Sequence, residues 1–239
     1  MENKSFSMGI RDGLPICIGY LSVAFAFGIF ATGSGLSILE AVMISLFNVT
    51  SAGQLAGVPI IASGGGLIEL AMTQLVINSR YALMSVSLSQ KFGKSIRLCD
   101  RFPIAFVNTD EVFAMASAKH GTVGRKYMYG LIITPVLGWT FGTLVGAVAG
   151  NVLPLILISA LGIAIYAMFV AIVVPAARNS VSTAVCAGIS ILLSCLFNYV
   201  PVFDIIPDGF IIIICAVIAA SALAIFAPLP DEDEEEERA

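Results

Sequence analysis

Residues 36–62 read LSILEAVMISLFNVTSAGQLAGVPIIA. About 20 predominantly apolar residues suffice to cross a bilayer core, so this stretch is long enough. It carries one charge, Glu40, near its start. Its middle is polar, with Asn48, Thr50, Ser51, Gly53 and Gln54. Non-helical backbone at membrane depth is tolerated only where protein or a water-filled cavity surrounds it. The stretch therefore predicts a helical membrane protein in which one segment is broken at its centre.

The composition agrees. Of the 239 residues 58% are hydrophobic and 12% charged, against about 45–50% and about 25% in a soluble domain. Residues 151–177 and 179–203 carry no charge. Working outward from 36–62, apolar segments are expected at 13–32, 67–92, 102–118, 127–149, 153–176, 181–199 and 209–227. Lys4, Arg11 and Ala24-Phe25-Ala26 resemble a signal peptide, but the apolar run continues past them and reads as a first span.

Basic residues mark cytoplasmic loops. They cluster before the first span (Lys4, Arg11), at Lys91, Lys94, Arg97 and Arg101, and at Lys119, Arg125 and Lys126. All three clusters fall on one side only if 36–62 and 102–118 each dip in and return. Segment 102–118 also has a polar centre, Asn108-Thr109-Asp110-Glu111. The expectation is an all-α polytopic bundle of about six full spans plus two broken or re-entrant segments, with both termini cytoplasmic. Residues 1–230 would form a single transport domain. Residues 231–237 are all acidic, so 231–239 reads as a disordered cytoplasmic tail. Without that tail the chain is mildly basic, so its net charge of -4 says nothing about substrate.

Segment 67–92 as a helix has two polar faces, at about 100° per residue. One holds Glu69, Thr73, Arg80 and Ser87, the other Gln74, Asn78, Tyr81 and Ser85. Met72, Leu75, Ala82, Leu83 and Val86 form an apolar strip between them, expected to make a narrow lipid contact. A charge at the depth of Arg80 costs at least about 2.5–3.5 kcal/mol unless paired or wet. Two readings stay open: a solute-binding or gating charge, or a structural pair with Asp110 or Glu111. Those two carboxylates point about 100° apart on a helix, so one could pair with Arg80 while the other faces a cavity.

A helix break at Asn48–Gln54 would expose free N–H groups at one half-helix end and free C=O groups at the other. The first suit a carboxylate and the second a cation. The alternative is an unbroken helix stitched by Ser and Thr hydrogen bonds. Candidate substrate-binding or coupling residues are Asn48, Ser51, Gln54, Asn78, Arg80, Asp110 and Glu111. The sole histidine, His120, lies in a loop, and no P-loop is present. No enzyme activity, metal, cofactor or nucleic-acid partner is expected. Gly64-Gly65-Gly66 reads as a turn. Cys17, Cys186, Cys195 and Cys215 lie in apolar runs and are read as small buried hydrophobes. Cys99 lies in a basic loop.

Four short pieces carry a family resemblance: Gly35-Leu36-Ser37 with Glu40-Ala41; Ser45 followed by Ser51-Ala52-Gly53-Gln54-Leu55; Asn78-Ser79-Arg80-Tyr81; and Thr109-Asp110-Glu111-Val112-Phe113-Ala114. In this order and spacing they resemble the AzlC-type branched-chain amino acid permeases, the large subunit of LIV-E exporters. The match covers about residues 6–118, and the later spans agree only by hydropathy. It departs at Val49-Thr50-Ser51, where the family usually has Phe-Ala-Gly. The resemblance implies proton-driven export of Leu, Ile, Val or Met across a bacterial inner membrane, with a small AzlD-type membrane subunit as partner. A non-transporting scaffold subunit and a passive channel are the alternatives.

Overall fold

The computed structural model describes residues 5–150, 152, 170, 173–175, 177–178, 180–203 and 205–226. Most of the expected span at 153–176 and all of the tail at 231–239 lie outside the described residues. The chain packs as two compact units, Met1–Gly64 with Gln74–Ile165, and Gly65–Thr73 with Tyr166–Ala239.

Among the described residues the regular structure is helical. Helix α1 (Phe6–Gly33) starts at Ser5, whose hydroxyl accepts from the Met8 amide. It ends before Gly35, whose φ of +95° reverses the chain at little cost for glycine. Helix α2 (Ile38–Phe47) opens on a capping box between Ser37 and Glu40, which satisfies two backbone donors reciprocally. Residues 48–50 are not helical, and α3 (Ser51–Ala62) starts afresh from a Thr50 cap. Helix α4 (Leu67–Gln90) follows. The second expected break is also present. Helix α5 (Leu98–Phe106) stops, and α6 (Asp110–Ser117) starts from a Thr109 cap. Helices α7 (Arg125–Gly150), α8 (Val181–Tyr199) and α9 (Asp208–Phe226) complete the order.

Helices α1, α7 and α8 are long and apolar enough to cross a membrane. Helix α4 runs 24 residues, about 36 Å at 1.5 Å per residue, but its polar faces lower its hydropathy. Its strip of Met72, Leu75, Ala82, Leu83 and Val86 is exposed as expected. Contrary to the expectation of buried cysteines, all five are free and only Cys215 is buried. The apolar runs holding Cys17, Cys186 and Cys195 turn part of their surface outward, where a membrane protein meets lipid, and Cys99 is exposed at the start of α5.

Both broken segments of the first unit return to the end from which they start. Leu36 and Ala41, flanking the start of α2, and Val58 of α3 pack in one cluster with Phe27 and Ala31 of α1. At the other end, the loops flanking α5–α6 are joined by backbone. Gly93 donates to Val123 O and Val123 to Lys91 O, both at 2.8 Å. Lys119 pairs with Asp12 of α1 at 2.6 Å. The basic loops and the start of α1 therefore share one end of this unit.

Asp100 ties that end together. Its carboxylate accepts from the Arg97 amide at 2.9 Å and from the Tyr129 hydroxyl at 3.0 Å, and pairs with Arg125 at 2.8 Å. The Arg97 N–H, then Tyr129 and Arg125, hold its carboxyl below the ordinary value against the opposing effect of desolvation. A depressed folded value gives stability that is present at neutral pH and lost as pH falls through it. Asp100→Asn is expected to loosen the loop and speed tryptic cleavage at Lys91, Lys94, Arg97 or Arg101. Unchanged cleavage kinetics would count against the clamp.

In the second unit, the Glu69 carboxylate accepts from the Gly209 amide at 3.0 Å, in the first turn of α9. A carboxylate suits that end of a helix dipole. Glu69 thus has a capping role that its place on a polar face of α4 did not reveal.

Candidate functional site

Both breaks face α4, which reaches them through polar side chains. Gln74 is the hub of the first contact. Its Oε1 accepts from Asn48 Nδ2 and Asn78 Nδ2, both at 3.1 Å, and its Nε2 donates to Gly53 O at 2.7 Å. Two turns further along α4, the Tyr81 hydroxyl donates to Thr50 Oγ1 at 3.4 Å. Helix geometry leaves the first amides of α3, at Ser51 and Ala52, without intrahelical acceptors. Of the amides in this first turn, Thr50 Oγ1 accepts from that of Gly53.

The second break meets α4 through three groups. Arg80 pairs with Asp110 at 2.9 Å and donates to the Tyr81 hydroxyl at 3.0 Å. Asn108 donates to Ser85 Oγ at 3.1 Å. Glu111 turns the other way and accepts from Tyr20 of α1, whose hydroxyl also lies 2.7 Å from Thr109 Oγ1. Of the two adjacent carboxylates, then, Asp110 takes Arg80 and Glu111 takes a tyrosine.

A cavity of about 160 Å³ lies where the breaks approach each other, lined by Asn48, Thr50, Asn78, Tyr81, Phe106 and Asn108. Asn78 Oδ1 and Asn108 Oδ1 are buried and have no hydrogen-bond partner among the described residues. A buried acceptor left unpaired costs about 1–3 kcal/mol. An apolar cleft of about 270 Å³ adjoins it, lined by Val86, Leu88, Phe92 and Ile104 with Arg101. Ala105 and Asn108 line both.

The structure thus gathers Asn48 and Asn78 at the first break and Arg80 and Asp110 at the second, and Ser51 occupies the first turn of α3. Gln54 lies apart from the cavity lining. It is 1% exposed and donates to Ser45 Oγ at 3.0 Å and Asn48 O at 2.8 Å. Ser45 in turn bonds Thr143 of α7 at 2.6 Å. Gln54 therefore joins α3 to α2, and through Ser45 to α7. Gln54→Leu is expected to destabilise the protein by about 1–3 kcal/mol, because Ser45 and the Asn48 carbonyl lose their donor; chemical denaturation in detergent reads it. Tyr20, Gln74, Tyr81 and Asn108 complete the arrangement and were absent from the candidate set. Gln74 and Tyr81 share the polar face of Asn78, and that periodicity was the available signal. Nothing local marks Tyr20, because its partners lie 89 and 91 residues away.

Comparisons with known proteins follow the same lines. The chain is 32% identical over 238 residues to the Inner membrane protein YgaZ of Escherichia coli (strain K12), covering 96% of this chain and 95% of the relative. It is 31% identical over 197 residues to an uncharacterized membrane protein of Archaeoglobus fulgidus, covering 81% and 85%. A membrane protein of Helicobacter pylori is 26% identical over 152 residues. No solved structure matches. The similarity extends past residue 118, where the motifs end. The model of the AzlC protein family matches residues 15–153, and the chain belongs to that family of membrane proteins.

Proposed function

We propose that the chain is a secondary transporter that exports branched-chain amino acids (Leu, Ile or Val, with Met) across the bacterial inner membrane. It works as the large subunit beside a small AzlD-type membrane partner, with export driven by protons. One observation carries the reading. Two broken segments meet at a polar cavity lined by Thr50, the cap of α3, and by Asn78 and Asn108, whose amide oxygens are unpaired; Arg80, paired with Asp110, bonds the lining Tyr81, and an apolar cleft adjoins the cavity. Breaks of this kind near the bilayer midplane are where transporters bind their solutes. The α3 amides suit a carboxylate, the acceptors Asn78 Oδ1 and Asn108 Oδ1 suit an ammonium group, and the cleft suits an aliphatic side chain. The basic end of the first unit is cytoplasmic in this reading, which places the N-terminus inside. Residues 1–230 are the transport domain and 231–239 a cytoplasmic tail, with the C-terminus also inside.

The test is efflux of an amino-acid panel from cells preloaded with dipeptides, expressing the chain with and without the small partner. Accelerated leucine or valine efflux, abolished by a protonophore, is expected. Efflux indifferent to the proton gradient would point to a passive channel. No change for any amino acid, with insertion and partner binding confirmed, would favour a scaffold subunit.

A further inference from the structure

The first six helices carry one plan twice, in opposite directions. A long helix precedes a broken segment: α1 before α2–α3, and α4 before α5–α6. In the first unit α1 runs away from the basic end, and α4 finishes at it, beside Lys91. Segment α2–α3 enters from the far end and α5–α6 from the basic end. Both breaks follow a phenylalanine, Phe47 and Phe106, and both restart on a threonine cap, Thr50 and Thr109. Inverted repeats of this form are common in secondary transporters, with the solute site where the repeats meet.

The repeat extends to a pair of side chains. Tyr20 and Tyr81 are each the fifteenth residue of their helix, α1 and α4. Each holds the threonine cap of the other repeat: Tyr20 holds Thr109, and Tyr81 holds Thr50. The two grips differ. Tyr20 is 8% exposed, sits 2.7 Å from Thr109 Oγ1 and also binds Glu111. Tyr81 reaches Thr50 at 3.4 Å, near the outer limit of a hydrogen bond, and the polar cavity opens beside it.

We propose that Tyr20–Thr109 and Tyr81–Thr50 are the two latches of one gating device. Each tyrosine positions the tip of the opposite broken segment, and the latches tighten in turn, so that one tip is held while the other is free. In this structure the Tyr20–Thr109 latch is the short one and the Tyr81–Thr50 latch the long one. The proposal rests on the transport reading and adds two positioning residues to it.

Amide hydrogen exchange in nanodiscs tests it without a transport assay. Tyr20→Phe keeps the ring and removes the latch. It is expected to speed exchange at residues 111–113 by roughly three- to tenfold, the worth of about one net hydrogen bond. The gating device also requires exchange at 52–54 to slow by a similar factor as the other latch closes. Where Tyr20→Phe fails to fold, Tyr81→Phe supplies the converse: faster exchange at 52–54 and slower at 111–113. Loosening confined to the mutated latch, or loosening of both tips, overturns the proposal and leaves two ordinary structural bonds. Reciprocal exchange in a protein that moves no amino acid would keep the gates and remove the solute assignment. Intact leucine efflux without reciprocity would do the reverse.

Discussion

Gly146→Leu is expected to abolish accumulation of folded protein, the largest effect of any single substitution in the first unit. Helices α1 and α7 run side by side in the same direction, and their backbones touch along a line of glycines. A methyl carbon at Gly138 would lie 2.6 Å from Cys17 O, and one at Gly142 would lie 2.7 Å from Leu21 O. One at Gly146 would meet Phe25 O closer still, and Gly9 and Gly130 face each other across the same seam. Between membrane helices there is no hydrophobic drive to associate, so close backbone approach through small residues supplies the attraction. Overpacking a tight contact costs about 1–3 kcal/mol, and more where the obstacle is backbone. Gly146→Ala should already lower stability, despite the roughly 1 kcal/mol that alanine gains over glycine in a helix. Gly19→Ala is the control. An added methyl there meets nothing within 4 Å, so that variant should be neutral or slightly stabilised. Size-exclusion profiles in detergent distinguish the two, and a monodisperse Gly146→Leu protein would refute the packing argument.

Arg80→Ala and Asp110→Asn are each expected to reduce amino-acid efflux at least about tenfold, to background, while the protein still folds and inserts. The Arg80 and Asp110 side chains are 52% and 50% exposed in their ion pair. In a water-filled cavity a pair so open contributes at most about 1 kcal/mol to stability, so in the transport reading the loss falls on efflux. A tenfold loss corresponds to about 1.4 kcal/mol of transition-state stabilisation. The exchanged pair, Arg80→Asp with Asp110→Arg, separates two roles. A purely structural pair would recover when the charges are swapped. A pair that meets the solute or its proton would not, because the sign presented to the cavity is reversed. Normal efflux in both single variants would remove these residues from the site.

Much of this arrangement is legible in the sequence because it follows from local chemistry. The bilayer demands long apolar runs, and the polar interruptions at Asn48–Gln54 and Asn108–Glu111 had to be helix breaks or buried stitching. Threonine at positions 50 and 109 supplies the caps at which helix restarts. The requirement that Lys91–Arg101 and Lys119–Lys126 share a side anticipated that 102–118 folds back, and the paired loops show it doing so. The two-sided polarity of α4, with its exposed apolar strip, follows from periodicity alone.

Other features were present in the sequence but have meaning only in context. The run Gly138, Gly142, Gly146 and Gly150 is spaced for one helix face, yet the sequence does not say which helix it meets. Gln54 looks like a site residue by type and position, and packing turns it instead toward Ser45.

Local sequence is enough to make the chain a helical membrane protein, to place the breaks in its helices, and to supply the polar groups at those breaks. Those are properties of neighbouring residues and of the bilayer's intolerance of unpaired polar groups. The pairings emerge only once the helices pack: Arg80 with Asp110, Glu111 with Tyr20, and each broken tip with a tyrosine of the other repeat. Such contacts join residues far apart in the chain. They depend on how helices rotate and approach, which is set by the α1–α7 glycine seam and the clamped basic loops rather than by any local preference.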